Sequence, residues 1–153
     1  MEKSFEDIKA AMATFKNAAM VLYLEERKIS EQSGVSLDTS IVPAIVLDAF
    51  SCELALKALA AKRGISVERN HLLDELFNKL PESDKNNISE KVIEILNESR
   101  AKYGIEEFNI CLQKVGKTFV DWRYYYENYR RIDLDLIFFV KFSMVVEEYV
   151  KSL

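Results

Sequence analysis

The chain has 153 residues, enough for one domain with a sizeable core, and its balance of 49% hydrophobic to 30% charged residues excludes a wholly disordered or fibrous chain. Its 21 Lys+Arg against 25 Asp+Glu leave a net charge of -4 and exclude the overall basic charge of a protein that coats nucleic acid, so any such contact is local. With 4 Gly and 2 Pro, turns are few and regular elements long.

Ser4, with Asp7 three positions on, reads as the cap of a first helix, FEDIKAAMATFKNAAMVLYLEERK. Its Phe5, Ile8, Met12, Phe15, Ala19, Leu22 and Tyr23 recur at the helical period. The polar segment SEQSGVSLDTS breaks the pattern as a loop does. A second helix starts near Ser40, carries Pro43 in its first turn, where the missing N–H costs nothing, and ends before Gly64. Asn70 caps a short third helix, HLLDELFNKL, closed by Pro81. Ser83 or Asp84 opens a fourth that ends at Gly104, a glycine placed as a helix terminator. A fifth runs from about Ile105 into the aromatic stretch FVDWRYYYENYRR, and LDLIFFVKFSMVVEEYV forms a sixth. There is no period-two alternation, repeat or linker, so the expected fold is all-α: one up-and-down bundle of five to six helices over residues 1–153.

The N-terminal MEKSFEDIKA has no apolar signal region, and no apolar run approaches the roughly 20 residues that span a bilayer. The expectation is a cytoplasmic protein without membrane contact. Cys52 and Cys111 lack metal-site spacing and read as buried free thiols. One histidine and no thiolate pair point to no metal and no cofactor.

Two charged pairs stand out. On an otherwise apolar face of the second helix, Glu53 and Lys57 are spaced i, i+4 with the acid first, and Arg123 and Glu127 share the same spacing among rings. A buried pair needs further partners to fill its valences. The expectation is therefore that Arg123 faces Glu53 across the bundle, with Lys57 near Glu127. His71, the only histidine, follows Asn70 at the start of the third helix and reads first as a capping or packing residue.

Taken in order, SCELALKALAAKRG, NHLLDELFNKLP and FVDWRYYYE resemble the HEPN superfamily of helical-bundle domains, over about Ile41 to Glu127. The resemblance implies a homodimer acting in RNA processing, a toxin–antitoxin pair or phage defence. Many such domains are metal-independent RNases with an R-x(4–6)-H motif at the dimer interface, the arginine holding phosphate and the histidine moving a proton. Here the residues at that spacing after Arg123 are Asn128, Tyr129 and Arg130, so the motif is incomplete.

Three readings follow. In the favoured one the chain is an RNA-associated module of a prokaryotic defence or toxin–antitoxin type system, with Arg123, Arg130 and Arg131 on phosphates and Tyr124 to Tyr126 stacking on unpaired bases. In the second it is an endoribonuclease with Arg123 on the phosphate, His71 as base for the 2′-hydroxyl, and Glu53 and Lys57 orienting both. In the third the charged cluster of Glu53, Lys57, Arg123 and Glu127 only sets helix register, and the chain is a dimeric adaptor for a partner protein such as an antitoxin. The sixth helix, with Ile137, Phe138, Phe139, Phe142 and Val145, or the tyrosine stretch, is the expected dimer contact.

Overall fold

Ser4 opens the first helix by reciprocal capping: its hydroxyl donates to Asp7 Oδ2 at 2.7 Å, while the Asp7 N–H donates to Ser4 Oγ at 3.2 Å. The computed structural model describes residues 3–33 (backbone alone from 29), 40–99, 102–124, 127 and 134–153. Helix α1, Phe5–Ser33, buries Met12 and Ala19 and packs Phe5, Ile8 and Tyr23 against the core, as its periodicity predicts. It runs along α2, Ile41–Lys62, the most deeply buried helix of the bundle.

The end of α2 aims the chain at the site. Gly64 takes φ 71°, a left-handed conformation that favours glycine, and the Ile65 N–H returns to Ala60 O at 2.9 Å in a Schellman closure. Arg69 also has a positive φ, 61°, in a turn closed from Asn70 N to Val67 O. Asn70 Oδ1 then accepts the Leu72 N–H at 3.0 Å, capping the approach to α3, Leu73–Asn78.

After Pro81, α4 spans Glu82–Asn97. Asp84 does not cap it. The residue is fully buried, accepts Arg63 Nε and Nη2 at 2.8 Å each and Tyr149 Oη at 2.7 Å, and so ties α4 to the end of α2. Gly104, expected to end a helix, begins one: its N–H donates to Glu107 Oε2 at 2.8 Å as α5, Ile105–Val115, starts. The predicted fifth helix is interrupted where the Gly116 carbonyl leaves the helical ladder to accept the Leu73 N–H at 2.9 Å. Thr118 Oγ1 bonds back to Val115 O, and α6, Thr118–Arg123, sets off separately.

The last helix, α7, Leu136–Ser152, is capped by Asp135, whose Oδ1 accepts the Phe138 N–H at 3.0 Å. Phe138, Phe139, Phe142 and Val145 are buried, and rings of Phe77, Phe108, Phe138 and Phe142 meet at centroid distances of 5.6 to 6.2 Å. The apolar face expected to form a dimer contact therefore fills the core, and Ile137 alone of that set is exposed, at 71%. The described residues form an all-α bundle. No helix among them is long and apolar enough to cross a membrane.

A buried polar network on the other side of α2 is absent from the sequence expectations. Lys16 Nζ of α1 lies 2.8 Å from Asp48 Oδ1 of α2 and 3.3 Å from Glu147 Oε2 of α7. Tyr23 and Ser143 hydroxyls donate to Asp48 at 3.0 and 2.6 Å, and Ser51 Oγ lies 2.9 Å from Glu147 Oε1. Burial pushes the Glu147 carboxyl up, opposed by Lys16; burial acts to lower Lys16, but Asp48 and Glu147 outweigh it and leave the amine raised.

Candidate functional site

Glu53 sits midway along α2 and is 1% exposed, so its carboxylate needs partners close by. Lys57, one turn further along, supplies the first: Nζ reaches Glu53 Oε1 at 2.7 Å, the contact the i, i+4 spacing predicts. The second comes from the turn after α2, which carries His71 over the helix so that Nδ1 lies 2.9 Å from the same oxygen. Among the described residues, Glu53 Oε2 has no hydrogen-bond partner. A carboxylate only accepts, so the Nδ1 position of this half-exposed ring carries a proton.

These groups line a cleft of about 630 Å³ between the start of α1, α2 and the turn. Its walls include Ile8, Phe50, Leu54 and Ile65; Lys3, Lys57, Ser66, Glu68 and His71 add its polar side. The pocket is thus apolar with a few placed polar groups, the composition of a site for a small or partly inserted ligand.

Arg123 is not in the Glu53 cluster. It is exposed at the last turn of α6, with its guanidinium over the ring of Phe119 at 5.0 Å and over that of Tyr124 at 4.7 Å. The physical reason is the break at Gly116: the short α6 docks through Thr118 and Phe119, leaving Arg123 at the surface, while Glu53 finds its donors on its own helix and the adjoining turn. Glu127 is exposed, and no ion pair joins it to Lys57 among the described residues. Phe119 connects the two places, since it stacks on Phe50 at 5.0 Å and lies 6.4 Å from the His71 ring. Tyr124 is 40% exposed beside Arg123. Tyr126, Arg130 and Arg131 lie outside the described residues.

His71 therefore bonds to Glu53 rather than only capping, and part of the signal was present: the sole histidine lies in the segment that follows α2, whose two acids are Asp48 and Glu53. Cys52 is fully buried, and burial raises its thiol; Cys111 is half-buried.

Comparison with known proteins bears on the same residues. No curated protein and no solved structure matches the chain. Residues 49–124 match the family model described as HEPN domain, a span that opens on α2 just before Glu53 and closes at Tyr124. That span contains Lys57, His71, Phe119 and Arg123 as well, and through it the chain belongs to the HEPN family.

Proposed function

We propose that this HEPN-type protein is RNA-associated and works as a homodimer in a prokaryotic defence or toxin–antitoxin type system. The observation that carries the reading is the pairing of half-exposed His71 with the buried Glu53 carboxylate at an apolar cleft, one phenylalanine ring from exposed Arg123 and Tyr124. Arg123 neutralises phosphate and Tyr124 offers a ring face to an unpaired base, with Tyr126, Arg130 and Arg131 extending the contact. With a net charge of -4, binding depends on few phosphate contacts and has a shallow salt slope. Titration of single-stranded RNA at several salt concentrations tests this. Arg123→Ala, Arg130→Ala and Arg131→Ala should each weaken binding and reduce the slope while leaving the melting temperature unchanged. If wild type binds no RNA at low salt, the dimeric adaptor reading replaces this one.

A second reading, a metal-independent endoribonuclease, is favoured by one observation, the Nδ1 contact of His71 with Glu53. A carboxylate that fixes the histidine tautomer leaves Nε2 to take the proton of a 2′-hydroxyl. The 2′-oxygen then bonds to the adjacent phosphorus as the bond to the 5′-oxygen breaks, giving a 2′,3′-cyclic phosphate and, after protonation of the leaving oxygen, a 5′-hydroxyl. Incubation of RNA with wild type and His71→Ala in EDTA decides it: cleavage by the first alone supports the reading, and intact RNA in both refutes it.

A further inference from the structure

One residue lining the cleft has an acceptor that neither phosphate binding nor proton transfer uses: Glu53 Oε2. Glu53 lines the cleft, is 1% exposed, and keeps Oε2 without a hydrogen-bond partner among the described residues. Its other oxygen already accepts from Lys57 Nζ at 2.7 Å and His71 Nδ1 at 2.9 Å, so the carboxylate is held in one orientation. An ionised carboxylate can only accept, and a buried acceptor with no donor loses its hydration without replacement. No described residue supplies it an N–H or O–H, and a ligand in the cleft can. The cleft indicates what carries it. Ile8, Phe50, Leu54 and Ile65 give apolar walls suited to the faces of a flat ring, while the charges of Lys3 and Glu68 and of the Lys57–Glu53 pair leave the lining without a net excess of either sign.

We infer that Glu53 determines base specificity: Oε2 accepts the exocyclic amine of a cytosine, adenine or guanine that enters the cleft, and disfavours uracil. Uracil has one ring N–H, flanked by two carbonyl oxygens that would face the carboxylate, so it cannot satisfy Oε2 without bringing acceptor against acceptor. This inference rests on the RNA-associated reading and adds to it which base is taken. His71 and Lys57 are positioning residues in this role, since they hold Oε1 and so fix where Oε2 points.

Cytosine and uracil match in size and differ at the amine, which makes them the deciding pair. Short single-stranded cytidine and uridine homopolymers, fluorescently labelled, are titrated into the full chain at low salt with EDTA present. Wild type should bind the cytidine strand roughly tenfold more tightly, the scale of one charge-assisted hydrogen bond. Glu53→Gln should reverse the order, because the variant's amide oxygen stays toward the Lys57 and His71 donors and its NH₂ takes the place of Oε2, where it meets the uracil 4-carbonyl. Should that variant fail to melt cooperatively, the wild-type order decides alone. Equal affinity of wild type for both strands overturns base reading by Glu53 while leaving RNA association in place. Binding to neither overturns RNA association itself.

Discussion

Glu53 and Lys16 are both buried charges on or beside α2, yet they differ in what their loss should cost. Glu53 is held by Lys57 and His71, whose side chains are 21% and 50% exposed and can regain water if released. Glu53→Gln keeps an acceptor for both and should lower stability by only about 1 kcal/mol; a loss several times larger on denaturant melting would place a further buried cation against it. Lys16 has no such relief, because Asp48 and Glu147 are both buried around it. Lys16→Met leaves two carboxylates facing one another and should cost roughly 3 kcal/mol or more. An unchanged unfolding midpoint would show that those carboxylates are satisfied without it. Arg123 belongs to a different class. An exposed guanidinium lying over the rings of buried Phe119 and exposed Tyr124 contributes little to the fold, whereas an arginine inside the Glu53 cluster would have been indispensable to it.

At the level of elements, the turn from α2 to α3 sets the site geometry. Gly64 at φ 71° has open space where a Cβ would stand, so Gly64→Ala meets backbone strain alone and should cost roughly 1–2 kcal/mol. The same variant should loosen the His71 contact with Glu53, visible as a shift in the histidine ring resonances; unchanged resonances would mean that Asn70 and the Arg69 turn suffice. Gly116 poses the opposite problem. Its backbone is helical, but a Cβ there would run into the Asp74 side chain of α3, so Gly116→Ala should push α3 from the α5–α6 junction and lower the melting temperature by a few degrees.

Across the whole molecule, the Arg63–Asp84–Tyr149 tie couples stability to acid. Hydrogen bonds from Arg63 lead in holding the Asp84 carboxyl below its usual range, Tyr149 adds to them, and burial works the other way. A carboxyl depressed only in the folded state contributes stability that is complete above its unfolded value and is lost as pH falls through the folded one. The melting temperature should therefore drop on acidification below about pH 4, and Asp84→Asn should flatten that limb. An identical acid limb in the variant would assign the acid sensitivity to other carboxylates.

What the sequence by itself determined is the part governed by local rules. Helical periodicity, the Ser4–Asp7 capping box, Pro43, Gly64 and the i, i+4 spacing of Glu53 and Lys57 each act within a few residues, and these features appear in the structure as read. The ordered motifs from Glu53 to Arg123 carried the family for the same reason, since they are stretches of contiguous residues. What only the tertiary structure decided is which side chains meet across helices. Arg123 and Glu53 could pair on charge and burial alone, but the bond from Leu73 N to Gly116 O, joining residues 43 positions apart, ends α5 early and leaves Arg123 at the surface. His71 took the vacant place because a left-handed glycine and a positive-φ arginine turned the chain back over α2. The Lys16–Asp48–Glu147 network was hidden likewise: each charge is unremarkable in its own helix, and only the packing of α1, α2 and α7 makes them one buried group. Periodicity reports which face of a helix is buried; it holds no information on rotation and register against a neighbour, and those set the partners of every buried charge.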